Sequence, residues 1–223
     1  MTFQRFYAAW FDQFRHTIHQ LTNSAAADDH HRLQLVHKTV DHYSGYYQAK
    51  SAAAKHDALA FFAPPWTTAL ERSLLWIGGW RPTTAFHLLY TESSILFESQ
   101  VADILRGVHT GNLGDLSPAQ FQRVSELQCA TVGHENDISD ELSDWQDNAC
   151  DVVGMCGDIE SKMERLAAIL DKADQLRLKT IKSLVELLTP QQAAELLVAA
   201  AELHFGIRAW GIQHDGNRRR RNI

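Results

Sequence analysis

Apolar residues recur at helical spacing from the first residues onward. Phe3, Phe6, Tyr7, Trp10, Phe11, Phe14, Ile18 and Leu21 step by threes and fours and draw one wide apolar stripe, which predicts an amphipathic opening helix. Asn23 to Asp29 is small and polar and reads as a loop. Leu33 to Phe62 reads as a long second helix, interrupted or bent near Gly45 and stopped by Pro64-Pro65, because proline donates no backbone hydrogen bond and disfavours helix just before itself. A short helix through Leu70, Leu74 and Ile77 should end at Gly78-Gly79, whose backbone freedom suits a helix C-terminus. Pro82 fits the first turn of the next helix, which continues past Leu105.

Gly107 to Asp115 holds three glycines and reads as a loop. Two strong helix starts follow. Ser117-Pro118-Ala119-Gln120 and Thr189-Pro190-Gln191-Gln192 each place a hydroxyl at the N-cap, proline next and glutamine three residues on, as in a capping box. The first helix should run to about Trp145 and the second to about Trp210. Between them Met163, Leu166, Ile169, Leu170, Ala173, Leu176, Ile181, Leu184 and Leu188 form another stripe, with Gly154 to Gly157 as the loop before it. No segment alternates as a strand does. The fold class is all-α, a single bundle of roughly seven helices, several of them long.

Composition narrows the function classes. The chain has 223 residues, 45% of them hydrophobic and 22% charged, the balance of an ordinary globular protein. No apolar run is long enough for a membrane span, and Met1 to Trp10 lacks the basic and apolar regions of a secretory signal. Cys129, Cys150 and Cys156 have neither zinc spacing nor an even-numbered framework, which favours a reducing compartment. A net charge of −6 argues against a protein that coats nucleic acid. The local exception is Arg218, Arg219, Arg220 and Arg221, a run that serves as a nuclear-import signal, a phosphate contact or a solvated end.

The most distinctive segment is Pro64 to Tyr90, with Trp66, Trp76 and Trp80 inside fifteen residues. Pro64 and Trp66, Leu70-Glu71, Trp76 to Gly79 and Arg81-Pro82 stand in an order that resembles the plant seed-dormancy (delay-of-germination) domain, shared with the C-terminal part of TGACG-motif-binding (TGA) basic-zipper factors. Leu116-Ser117-Pro118 through Leu127, Asp174-Gln175-Leu176-Arg177, Leu188 to Ala193, Leu203-His204 and Trp210-Gly211 continue the resemblance. It places a dormancy-type domain over 1–216 and a basic tail over 217–223. Trp66, Glu71, Trp76, Gly78, Gly79, Arg81 and Pro82 are its structural signature. The indoles are expected to be largely buried around the glycine pair. Glu71 and Arg81 are expected to bond each other, or helix ends, and so lock the bend.

The chemistry of enzymes is not visible. There is no nucleophile elbow, no phosphate-cradling glycine loop and no metalloprotease motif, and His134-Glu135 lies on a charged helix without partners in sequence; no catalytic or metal residue is assigned. Some members of the resembled family bind haem through two histidines four apart on the terminal helix. Here His204 matches, but Arg208 replaces the second histidine, and an arginine is no ordinary iron ligand. The resemblance implies no cofactor, with haem at His204 as the alternative. It also implies a partner-binding role for the opening helix, through Phe6, Trp10 and Phe14, toward a type 2C phosphatase, a TGA-type factor or a second copy. The rival reading packs that helix into the bundle. The main expectation is a non-enzymatic, nuclear and/or cytoplasmic regulator in transcription or abscisic-acid and seed-dormancy signalling. Alternatives are a haem- or lipid-binding sensor, and DNA binding through the basic tail; sequence-specific DNA and membrane binding by the isolated chain are not expected.

Overall fold

The computed structural model describes residues 2–26, 28–147 and 159–221. Eight α-helices occupy them: α1 (Phe3–Thr22), α2 (Asp29–Ala54), α3 (Ala58–Phe62), α4 (Ala69–Ser73), α5 (Thr83–Leu105), α6 (Pro118–Asp147), α7 (Ile159–Leu187) and α8 (Pro190–Arg221). The only other regular elements among the described residues are two 3-10 turns, Asn23–Ala26 and Leu113–Asp115, so the all-α expectation holds. The expected loop at Gly154 to Gly157, with Cys150 and Cys156, lies outside the described residues; Cys129 is exposed.

Both capping boxes form. Gln120 and Gln192 accept from the backbone N–H of Ser117 and Thr189 at 3.0 Å each, and the two hydroxyls accept in return. The glutamines also meet: Gln120 Nε2 donates to Gln192 Oε1 at 2.8 Å and ties the starts of α6 and α8 together.

Four expectations are corrected. The second helix is not interrupted at Gly45 and does not run to Phe62; it stops at Ala54, and Asp57 caps a separate α3 by accepting from Ala60 N at 3.0 Å. The helix expected through Ile77 lasts only from Ala69 to Ser73, and Gly78-Gly79 is no helix C-terminus. Instead residues 76–79 close a tight turn, with Trp76 N donating to Gly79 O at 2.7 Å and Gly79 N to Trp76 O at 3.2 Å. Ile77 (φ 45°) and Gly78 (φ 68°) both sit in the left-handed region that such a turn requires. Finally, α5 ends at Leu105 rather than beyond it, whereas α8 passes Trp210 and continues to Arg221.

Helix α2 is central and packs against α1, α7 and α8, while α6 lies along α7. Three apolar clusters surround it. One joins Val36 and Val40 of α2, Phe86 and Leu89 of α5 and Leu184 of α7 to the start of α8. A second joins α3 and Ile77 to Leu166, Ile169 and Leu170 of α7. A third is aromatic: Tyr7, Trp10, Phe11 and Phe14 of α1 against Ala201 of α8. Trp10 and Phe14, two of the three candidate partner-binding residues, are thus inside the bundle, at 6% and 0% exposure, and Phe6 is half-buried. Trp10 is also anchored by hydrogen bonds, its Nε1 to His42 O at 3.1 Å and its own carbonyl to His42 Nε2 at 3.0 Å.

Candidate functional site

Two buried cations reach the carbonyls in and beside the turn at 76–79. Arg177 of α7 donates Nε to Trp80 O at 2.6 Å and Nη2 to Ile77 O at 3.0 Å and to Trp76 O. Lys50 of α2 donates to Gly78 O at 2.8 Å. Asp174, one helical turn before Arg177, accepts from both, at 2.9 Å from Lys50 and 2.5 Å from Arg177. All three side chains are almost completely buried. Burial pushes the Lys50 ammonium down to about 8, against the pull of Asp174 in the other direction. The guanidinium lies flat on Gly79, where a Cβ would come within 2.7 Å of Arg177 Cζ, and a Cβ on Gly78 would meet Phe61 O at 2.5 Å. The two glycines are therefore required by close approach, and Asp174 and Arg177 belong to the same structural unit as the Trp-Ile-Gly-Gly-Trp segment.

The three tryptophans are each partly buried. Trp76 packs into the second cluster and donates to Ser139 Oγ at 3.1 Å; Trp80 packs into the first and donates to Tyr47 Oη at 2.9 Å. Trp66 borders the second and third clusters, with its ring centroid 5.0 Å from Phe3 and 5.1 Å from Phe61.

Glu71 and Arg81 do not bond each other. Glu71 closes a capping box with Thr68, accepting from Thr68 N at 2.7 Å, and also accepts from Arg208 Nη1 at 3.2 and 3.3 Å. Arg81 donates Nε at 2.7 Å to Glu135, whose fully buried carboxylate also accepts from Thr83 N at 2.6 Å and Thr83 Oγ1 at 3.2 Å. Glu135 thereby caps the start of α5, just after buried Pro82, from another helix. Sequence reasoning missed it because the acceptor lies 52 residues from its donor. Thus both signature charges do hold helix ends, through partners the sequence did not name.

Between α1, α2, the 64–81 segment, α7 and α8 lies a cavity of about 370 Å³, within the range of ligand pockets. Its walls are mostly apolar and aromatic, including Trp10, Tyr43, Trp66, Trp80, Leu197 and Ile207. Leu74, Arg81, Thr84 and Leu203 are its exposed lining residues and form the mouth. Burial raises the hydroxyl of Tyr7 to about 12 and those of Tyr43 and Tyr47 still further above the usual phenol value.

His204 faces this cavity, with Nε2 4.0 Å from Glu71 Oε1 and its ring edge-on to Phe11. Burial lowers its pKa, although Glu71 opposes the shift. Arg208, one turn on, is committed to Glu71 and stacks over Tyr7 and Phe11 at 5.2 and 5.0 Å. This set does not fit an iron held by two imidazoles on one face: the second position carries a bonded cation. Among the described residues no three metal-ligating side chains converge. Arg218 is exposed at the end of α8.

The family described as Seed dormancy control matches residues 13–91, the part that contains α2 to α4 and the tight turn. Protein DOG1-like 4 of Arabidopsis thaliana is 31% identical over 229 residues, covering 94% of this chain and 91% of the relative. Protein RESPONSE TO ABA AND SALT 1 of the same plant is 29% identical, covering 93% and 94%. Transcription factor TGA2.3 of Oryza sativa subsp. japonica is 26% identical over 94% of this chain, which spans 63% of that factor.

Proposed function

The chain belongs to the seed dormancy control family of plant proteins, and on that premise we propose that it is a non-enzymatic regulator that works by protein–protein contact in transcription or abscisic-acid and seed-dormancy signalling. One observation carries the reading. A single stretch of about this chain's length recurs in a protein named for its response to abscisic acid and salt and in a transcription factor. The charged signature residues are occupied in holding turns and helix ends, which leaves the surface to provide the activity. Phe97, Val101 and Leu105 line one exposed side of α5, and Trp210 stands exposed on α8; such side chains make effective contact anchors. The proposed partners are a type 2C phosphatase, a TGA-type factor or a second copy. The proposed compartment is the nucleus, with Arg218 to Arg221 as the import signal. Affinity purification from plant tissue with mass spectrometry tests this. Recovery of a signalling phosphatase or a transcription factor is expected, and recovery of the chain alone and as a monomer would overturn it. Selective nanomolar binding of the isolated chain to a TGACG duplex would instead promote the DNA-binding reading.

The cavity favours a second reading, a sensor for an apolar ligand such as a lipid. Its size and its apolar walls support this. Haem is the weaker ligand in our reading, because Arg208 stands in place of an imidazole. A hemin titration is expected to give no sharp Soret shift at submicromolar hemin; a shift lost in His204→Ala would restore the haem proposal.

A further inference from the structure

Helix α4 has five residues and one principal neighbour, the distal half of α8. The segment around it supplies Pro64, Trp66, Thr67, Glu71, Leu74 and Leu75 to the cavity wall, and Leu74 to its mouth. What fastens it is a single stripe of α8. His204, Arg208, Gly211 and Asp215 are spaced by four, three and four, which sets them on one face of the helix.

Each member engages α4 or its cap. Arg208 donates to both Glu71 oxygens, and His204 stands 4.0 Å from the same carboxylate. Gly211 lets Thr68 in so closely that a Cβ there would fall 2.2 Å from Thr68 Oγ1. Asp215 accepts from Ala69 N at 3.0 Å, and that bond is the main reason its carboxyl is held below the usual range. Leu203, next to His204, forms the facing rim of the mouth.

The attachment is therefore polar and local. A short helix with exposed Leu74 at its end hangs on two carboxylates, one guanidinium and one glycine contact, while the bundle beneath it is held by three separate apolar clusters. Such an element opens at a lower free energy than the core. We propose that α4 with its cap, residues 68–75, is a lid over the cavity, latched to α8 through Glu71–Arg208 and Ala69–Asp215, and that release of the latch admits the ligand. The inference rests on the second reading above, that the cavity takes an apolar molecule.

Hydrogen exchange and probe kinetics on the full chain test it, with neutral N-phenyl-1-naphthylamine as the probe. In Arg208→Met, which keeps apolar contact with Tyr7 and Phe11, and in Asp215→Ala, amides of residues 68–75 should exchange about tenfold faster while those of α2 and α7 stay unchanged. Association and dissociation of the probe should both accelerate by similar factors, leaving Kd within about threefold, as for a gate that changes access and not the site. Arg208→Lys, which keeps a cation for Glu71, should fall between wild type and Arg208→Met. Faster exchange throughout the chain would make these contacts supports of the whole fold and overturn the lid. Probe binding with unaltered rates in both variants would overturn the lid and leave the cavity reading standing. Absence of probe binding to the wild type would overturn the cavity reading and the gate with it.

Discussion

Removing one member of the Lys50–Asp174–Arg177 cluster at a time should give three different costs. Arg177→Met takes donors from the carbonyls of Trp76, Ile77 and Trp80, of which only Trp76 keeps the Gly79 amide. Leaving a buried acceptor unpaired costs about 1–3 kcal/mol, so two such carbonyls put the loss at about 2–6 kcal/mol; Asp174 remains paired with Lys50. Asp174→Asn leaves two buried cations without their anion, for which breaking a buried pair suggests about 3–5 kcal/mol or more. Its upper limit is set by Lys50, which releases its proton readily because burial already lowers its pKa to about 8. Lys50→Met is the mildest. It removes one bond to Gly78 O but leaves a neutral Asp174–Arg177 pair, and a cost below about 2 kcal/mol is expected. Equilibrium urea unfolding, followed by far-ultraviolet circular dichroism and tryptophan fluorescence, gives the three values if the slope stays constant. Asp174→Asn combined with Lys50→Met should be more stable than Asp174→Asn alone. A Lys50→Met protein as unstable as Arg177→Met, or an innocuous Asp174→Asn, would refute the charge reasoning.

Three further outcomes are expected. Gly79→Ala, which drives a methyl into Arg177, should destabilise by several kcal/mol, as overpacking at about 1–3 kcal/mol adds to a displaced guanidinium, whereas Gly45→Ala, in α2 with open space around it, should stabilise by about 0.5–1 kcal/mol; thermal unfolding distinguishes them. Glu135→Ala should cost about 1–3 kcal/mol and raise exchange at the first turn of α5, since the buried Thr83 amide loses its acceptor while Arg81, 50% exposed, turns to water. Stability should rise with pH from about 8 toward 10, where the unfolded chain holds the Lys50 proton that the folded chain has released, and fall above about 10, where unfolded tyrosines ionise before Tyr43 and Tyr47; urea midpoints in that window check both signs, and a monotonic fall from pH 8 would contradict the Lys50 contribution.

Local signals in the sequence were reliable where local physics decides. The Ser117/Gln120 and Thr189/Gln192 caps and the aromatic stripe of α1 need only neighbouring residues, and the helices start and bury as those patterns require. Asp57, three residues before Ala60, was a legible cap that divides α2 from α3, but the apolar run beyond it concealed the break. Gly206, Gly211 and Gly216 argue for an early end to α8; the helix continues because Thr68 packs against Gly211 and Asp215 caps Ala69, contacts that no helix propensity contains. Within the candidate site, the glycine pair and the signature charges were visible as types. Their partners Arg177, Glu135 and Arg208 were not, because each lies 52 to 137 residues from the group it bonds.

That separation bears on the order in which the molecule is assembled. The Trp76–Trp80 turn is synthesised about a hundred residues before the arginine that receives its carbonyls. Until α7 arrives, Lys50 can reach Gly78 O, but the carbonyls of Ile77 and Trp80 have only water. Residues 13–91, the span that the family model matches, do not contain the arginine that holds the turn. Expressed alone, they should lack the turn. During translation, the aromatic face beside the turn stays open to chaperones until the second half of the chain has emerged.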